Sequence, residues 1–545
     1  MSIGTCTSQP PQIILCTLNA KYIHASLGLR YLLANMARHG SQALAEKTRL
    51  VEYTLARPIQ DMVSDLLATL GDEKAGGTQV IGFGVYIWNV IQTTELVRQL
   101  QLKRPSLKVV LGGPEVSHET ESQEIVKWAD HVITGWGDVS FPKLCLALIH
   151  GPKPLMKVIQ GEQAPLDQIE LPYSHFTDSD LAHRLLYVEA SRGCPFKCEF
   201  CLSSLDKTAW AFELESLLAE LHTLYQRGAR NFKFVDRTFN LKIDASVQIL
   251  QFFLDRLNED SSKGMLVHFE VIPDHLPDRL KHLIAQFPPG VLQFEVGIQS
   301  FNTEVQQLIS RCQDNVQTEA NLRWLLSNSN AHLHTDLIFG LPGESIESFA
   351  QGFDRLLDIG PQEIQLGILK RLRGTPISRH TEAHGMVYDI QPPYVVLESK
   401  VVNAHDMKRF SRMAKYWDLV ANSGRFKKSL PLLLVHRSPT YSSFWAFMHF
   451  SDALWLSTGK TYGLTPEDLV DAVFDYLTQA WGLQPEEVRP VLLADYLESG
   501  ARARPRCLVS EQLPLGGNQR HAAGPASQMV QRQSLRERQN RHTSA

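Results

Sequence analysis

The sequence predicts an α/β chain in three parts: an N-terminal doubly wound parallel sheet, a central partial (β/α)6 barrel and an α-helical C-terminal domain. Three observations carry this. Short β-branched runs alternate with amphipathic, helix-length segments across two long stretches. A proline-bearing stretch with little periodicity, residues 151–183, separates them. From about residue 386 the strand signals give way to aromatic-rich helical spacing. At 545 residues the chain is long for one core, which also argues for two or three domains.

In the first part, "QIILCTL" (12–18), "RLVEYTL" (49–55), "VIGFGVYI" (80–87), "KVVLGGP" (108–114) and "HVITG" (131–135) read as strands. Between the first two, "SLGLRYLLANMARHG" has helical apolar spacing and a glycine stop. Strand–helix alternation over residues 11–150 implies a parallel sheet covered on both faces, whose ligands bind at the carboxyl ends of the strands. Gly112 and Gly113 end one strand and Gly135 follows another, leaving bare backbone there; ordinary tight turns would look the same.

In the second part, residues 184–385, there are six strand-like runs: 185–191, 232–239, 267–273, 292–300, 332–340 and 363–370. Helix-length segments such as "ELESLLAELHTLYQRG" separate them, which suggests an open barrel with its chemistry at the C-terminal strand ends. After the first of these strands, "SRGCPFKCEFCLSS" places three of the chain's eight cysteines, Cys194, Cys198 and Cys201, within eight residues. An odd cluster in a long, cysteine-poor chain is not a disulfide framework. Three thiolates fall short of the four ligands of a structural zinc site. The C-x-x-x-C-x-x-C spacing suits three irons of a [4Fe–4S] cube with the fourth left open, zinc or free thiols being the alternatives.

This spacing, with aromatic Phe200 before the last cysteine, resembles the radical S-adenosylmethionine (SAM) superfamily. The resemblance implies that SAM chelates the open iron and is cleaved by an electron from the cluster to a 5′-deoxyadenosyl radical. It also implies SAM contacts: Asp236 and Thr238 in "VDRTFN" near the methionine amino group, and Glu295 and Gln299 in "FEVGIQS" near the ribose. Gly340 and Gly343 in "GLPGE" would lie near the adenine, with Glu344 opening a helix. "IPDHLPD" (272–278) suits substrate or a helix cap.

With that barrel behind it, the first part resembles a cobalamin-binding, Rossmann-type domain, and the whole chain an uncharacterised branch of the cobalamin-binding radical SAM class. That domain usually carries D-x-H-x-x-G after its first strand. Here "NAKYIH" puts Asn19, Lys21 and His24 at those places, so the imidazole ligand to cobalt is missing. His24 is an alternative ligand, a plain surface or core histidine being the simpler role. The resemblance implies cobalamin contacts at Asn19, Lys21, His24, Gly112, Gly113 and Gly135.

Residues 386–515 carry helical spacing in "VVNAHDMKRFSRMAKYWDLVANSG" and a cap signal in "TPEDLVDAVFDYLTQAWG". Residues 1–10 and 516–545 cannot bury a core and are expected to be disordered, the latter within a basic tail. Net charge is −4, so nothing pulls the chain toward nucleic acid or anionic membrane. No apolar run approaches the roughly 20 residues of a membrane span, and no secretory signal opens the chain, so a cytoplasmic setting is expected.

The residues and the resemblance together point to an enzyme that cleaves SAM reductively, with cobalamin and a reducing partner such as flavodoxin or ferredoxin, acting on a small organic substrate and possibly methylating an unactivated carbon. Rearrangement, cyclisation or oxidation without methyl transfer is the alternative, and a corrinoid-binding sensor module the non-enzymatic one. A methylthiotransferase would need a second cluster, and Cys6, Cys16 and Cys145 are too scattered for it.

Overall fold

The computed structural model describes residues 10–73, 77–259, 264–434, 442–500 and 503–509. The segments expected to be disordered, 1–10 and 516–545, lie outside these apart from Pro10.

The first sheet contains strands β1 (Ile13–Asn19), β2 (Thr48–Thr54), β3 (Val80–Gly84), β4 (Lys108–Gly112), β5 (His131–Thr134) and β6 (Val158–Gln160). All pair in parallel, in the order β2-β1-β3-β4-β5-β6. Every residue of β1 is buried, as a central strand covered on both faces must be. The order reverses between β1 and β3, and at such a switch point the loops on either side part to leave a crevice. The sixth strand comes from the stretch expected to be a linker. That stretch also sends Tyr173 and Phe176, both fully buried, into the barrel core. Its few apolar residues lack periodicity because they anchor one at a time.

The second sheet runs β7 (Leu186–Val188), β10 (Asn231–Phe234), β11 (Leu266–Val271), β12 (Leu292–Gln299), β13 (His332–Phe339) and β14 (Glu363–Ile368), neighbours in that order and all parallel. A short antiparallel pair, β8 (Ser191–Arg192) with β9 (Trp210–Ala211), frames the cysteine loop. Alternate residues of each barrel strand, such as Phe294, Val296 and Leu333, face the surrounding helices and join one apolar core. The other set is polar: Lys233, His268, Glu295, His334, Asp336 and Glu363 share the lumen.

The C-terminal part is helical, chiefly Ala404–Trp417, Ser443–Thr458, Pro466–Asp475 and Pro485–Glu498. Phe410 stacks on Phe339 with ring centroids 4.0 Å apart, and its core is continuous with that of the barrel. It also covers the open edge at β14. The Ile364 N–H donates to Asn422 Oδ1 at 3.1 Å, and Asn422 Nδ2 and Trp417 Nε1 donate to the Ile364 carbonyl at 2.9 and 3.0 Å. These side chains do for one residue what a seventh strand would do.

A buried charge cluster ties the first sheet to the entry of the barrel. Glu52 on β2 sits 2.9 Å from both Arg30 and Arg184, and Asp180 lies 3.1 and 3.3 Å from the same two arginines. Glu52 also accepts hydrogen bonds from Asn19 Nδ2 and the Ser26 N–H. Removing one partner of such a set leaves the others charged, desolvated and unpaired. Glu52→Ala is therefore expected to cost about 3 kcal/mol, read as a lower urea midpoint. A midpoint equal to that of the parent would show the cluster to be solvated.

Candidate functional site

The cysteine loop leaves the C-terminal end of β7 and is held from several sides. The Cys194 N–H donates to the Asp206 carbonyl at 2.8 Å, and Ser204 Oγ donates to the carbonyls of Cys198 and Cys201. Glu199, between the second and third cysteines, is buried. Its carboxylate meets Ser310 Oγ at 2.6 Å, His380 Nε2 at 2.9 Å and the Arg379 guanidinium. With its backbone fixed, the loop turns all three cysteines toward one cavity of about 240 Å³. Burial pushes the Cys194 and Cys198 thiols up. Arg311, whose Nη1 lies 3.7 Å from Cys198 Sγ, favours the thiolate. Three soft sulfurs on one wall of a cavity that continues past them form a donor set able to hold a cluster with an open side.

Two ties fasten this loop to the first sheet. Arg192 makes a bidentate pair with Asp138 at 2.8 and 3.1 Å and reaches Glu189 at 2.9 Å. Its guanidinium also lies over the rings of Tyr31 and Trp136. Burial opposes its charge, but the two carboxylates more than offset that and keep it protonated. Trp136 Nε1 donates to Asp206 Oδ2 at 2.7 Å. Spacing within the chain gives no sign of these long-range partners, so it does not point to Arg192, Asp138, Asp206 or Arg311.

Phe200, Thr238, Glu295 and Gln299 line the cysteine cavity. Gln299 ends β12 at an irregularity in its pairing with β13, with φ of 69°, and its buried Oε1 has no hydrogen-bond partner among the described residues. A non-glycine residue held left-handed with an orphaned acceptor is a mark of a binding position. Burial disfavours charge on Glu295, yet His268 Nε2 at 3.0 Å and Lys233 hold its carboxyl well below the usual range. Burial and the neighbouring Glu295 and Glu270 push Asp336 the other way.

Asp236, Gly340 and Gly343 stand elsewhere. Asp236 accepts from the Ala190 N–H and Ser191 Oγ, bracing the start of the cysteine loop, and burial raises it to about 7. Gly340 packs against Val396 and Met407, and Gly343 near Leu308 and His384. Glu344 does not open the next helix, which Ser345 caps; it is buried, with Oε1 2.5 Å from Ser300 Oγ.

A second cavity, of about 460 Å³, opens at the carboxyl ends of β3, β4 and β5. Gly112, Gly113 and Gly135 line it. At Gly113, with φ of 110°, an added Cβ would meet the Val85 carbonyl at 2.5 Å, whereas at Gly135 the space is open. The bare backbone, with Tyr86, Trp136 and Phe141 around it, is a cradle for a large ring system. No histidine is among the described residues that line it. Asn19, Lys21 and His24 are not part of the lining either. Asn19 donates to Glu52 and to the His24 carbonyl, and His24 Nδ1 pairs with the Tyr187 hydroxyl at 2.8 Å.

A third cavity, of about 700 Å³, lies between the barrel lumen and the C-terminal helices, with Lys370, Lys415, Asp418 and Tyr462 on its walls. The cysteine cavity is the middle of the three. It shares Arg237 with the glycine-lined cavity, and Phe200, Glu295, Gln299 and Asp336 with the third.

Residues 188–356 match the Radical SAM superfamily, and residues 382–543 match the family described as "Protein of unknown function (DUF4080)". The chain is 24% identical over 343 residues to 2-(S-pantetheinyl)-carbapenam-3-carboxylate methyltransferase of Streptantibioticus cattleyicolor, covering 57% of this chain and 49% of that protein. It is 23% identical over 348 residues to the cobalamin-dependent radical SAM methyltransferase TokK of Streptomyces tokunonensis, covering 58% and 49%. The chain thus spans about half the length of these curated relatives. In fold it is similar to the cobalamin-dependent S-adenosylmethionine radical enzyme OxsB, with a TM-score of 0.60, 12% identity and coverage of 98% of this chain and 84% of that one. TsrM from Kitasatospora setae gives a TM-score of 0.54 at 16% identity, covering 71% and 80%. The central barrel matches the radical SAM superfamily over residues 188–356, and the chain as a whole shares its fold with cobalamin-dependent radical SAM enzymes.

Glu344 sets a pH dependence. Burial raises its folded pKa to about 7, with Ser300 and Ser348 offsetting part of the effect. Unfolded, it titrates near about 4.3. The folded value is the higher, so its contribution to stability is complete below about pH 4 and is lost as pH rises to about 7. Glu344→Gln cannot ionise and should gain in urea midpoint over the parent between pH 5 and 8. A difference independent of pH would mean that Glu344 titrates normally.

Proposed function

We propose that this chain cleaves S-adenosylmethionine reductively at a [4Fe–4S] cluster held by Cys194, Cys198 and Cys201, and uses cobalamin in the glycine-lined cavity to methylate a small organic substrate. When bound, the cluster supplies the electron for sulfonium cleavage and the corrinoid a carrier for methyl. The observation that carries the reading is the contiguity of the three cavities, with the thiols in the middle one.

The residues divide the work accordingly. Arg311 steadies thiolate charge at Cys198. Phe200, Thr238, Glu295 and Gln299 face the space where SAM would lie, and the ionised Glu295 and orphaned Gln299 Oε1 both accept hydrogen bonds, as ribose hydroxyls require. Gly112, Gly113 and Gly135 let backbone approach the corrin. A corrin held there would rest on the backbone of Gly112, Gly113 and Gly135 and on Tyr86, Trp136 and Phe141, none of them an imidazole. The third cavity would take the substrate, with the C-terminal helices excluding water. No helix among the described residues is long and apolar enough to cross a membrane. The reading takes flavodoxin or ferredoxin as electron source, in a cytoplasmic setting.

The test is anaerobic reconstitution with iron, sulfide and hydroxocobalamin, then iron and corrin quantification and assay for 5′-deoxyadenosine and S-adenosylhomocysteine. About four irons and one corrin per chain are expected. Cys198→Ala should lose the iron and SAM cleavage while keeping the corrin. Iron and cleavage retained in that variant would refute the cluster assignment. Iron without corrin in the parent would leave SAM cleavage standing and remove methyl transfer.

A further inference from the structure

We propose that the floor of the barrel binds a divalent zinc-type cation through His332, His334 and Glu363, a site separate from the cysteine loop. His332 and His334 alternate along β13 and so share its lumen face, and the β13–β14 register sets Glu363 directly opposite His334. One ligand atom from each residue lies within 4.8 Å of the other two. His334 Nε2 is 3.3 Å and His332 Nε2 3.4 Å from the same oxygen, Glu363 Oε1.

Those separations can be set against the spacing of ligands around a metal ion. Ordinary N–H···O hydrogen bonds cluster near about 2.9 Å. Ligands around tetrahedral zinc, with bonds of about 2.0–2.1 Å, stand about 3.4 Å apart. Ligands around an octahedral ion with bonds of about 2.1 Å would stand about 3.0 Å apart. Both edges, at 3.3 and 3.4 Å, lie near the tetrahedral spacing, and in the ion-free fold the His332 contact also serves as a long hydrogen bond.

The surroundings fit a held imidazole. The side chains of His334 and Glu363 are 3% and 8% exposed, while His332 at 30% leaves one side open for a further ligand. The amides of Gln293 and Gln365 lie 2.9 and 3.2 Å from His334 Nδ1. The oxygen of Gln365 can accept from Nδ1–H, since the two ends of an amide interchange by rotation, and this tautomer offers the Nε2 lone pair to a metal. The Gln293 amide stands 2.5 Å from Nε2 and would turn aside for a cation to bind there. The site lies well below the thiols: the cysteine cavity meets β13 only at Asp336, about 13 Å up the strand from His332. Imidazole and carboxylate select a borderline ion where thiolates select the softer centre. A cation here pins β13 to β14 under the third cavity, which Glu363 also lines.

The test is metal analysis of the full chain after dialysis against zinc and removal of loose ion. The parent and Cys198→Ala should each hold about one zinc per chain. His332→Ala and His334→Gln should each lose at least four-fifths of it while keeping the parent's iron after reconstitution. Cobalt added in place of zinc should give the strong visible bands of a tetrahedral ion in the parent and none in His332→Ala. His332 is partly exposed, so its replacement spares the fold, and matching circular dichroism verifies this. A parent that takes up no zinc, zinc retained in both histidine variants, or zinc lost only in Cys198→Ala would overturn the proposal.

Discussion

Everything at the candidate site depends on the guanidinium of Arg192. It lies two residues before Cys194, is paired with Asp138 of the first sheet and Glu189 of the barrel, and is roofed by Tyr31 and Trp136. A buried cation of this kind tolerates no half-measures: unless all its partners are in place its desolvation is uncompensated. The position of the cysteine loop is therefore a property of the interface between the two sheets. Trp136 and Asp206 repeat the tie from the other side, and Asp206 in turn receives the Cys194 amide. The wall between the glycine-lined cavity and the thiols is made of the same few residues that join the domains.

The barrel adds a second constraint, a lumen built from charge. In a barrel filled by branched side chains the interior is only packing. Here Lys233, His268, Glu270, Glu295 and Asp336 stand on adjacent strands, with Lys233 opposite His268 and Glu270 opposite Glu295, so each carboxylate is set by its neighbours. Glu295 gains His268 and Lys233 and stays ionised, while Asp336 faces Glu295 and Glu270 and tends to keep its proton. Two acids on neighbouring strands thus acquire opposite tendencies, which gives the middle cavity both an acceptor and a donor.

Local patterns made much of this legible in advance. Short β-branched runs alternating with helix-length segments mark the strands, the cysteine spacing marks the loop, and the shared parity of Glu295 and Gln299 puts both on one face. What sequence hid was pairing across distance. Arg192 and Asp138 are 54 residues apart, and Glu52 and Arg184 132. Val158–Gln160 is too short to announce a strand and exists because β5 offers it an edge. The family resemblance implies that Asp236 lies near the methionine amino group, and the position of Glu344 after "GLPG" suggests that it opens a helix. In the fold both carboxyls turn inward to hydroxyl partners, Ser191 and Ser300. A strand-end position says where a side chain starts and not which way it turns.

Asn422 has a consequence for how the molecule can be taken apart. By satisfying both backbone groups of Ile364, together with Trp417, it makes the helical part a component of the sheet. A chain cut after the barrel would present a bare, solvent-facing strand, and such edges recruit other strands. The radical SAM domain of this protein is therefore indivisible from its C-terminal helices. Any movement of those helices away from β14 would therefore have to break the bonds to Ile364 and expose its backbone groups.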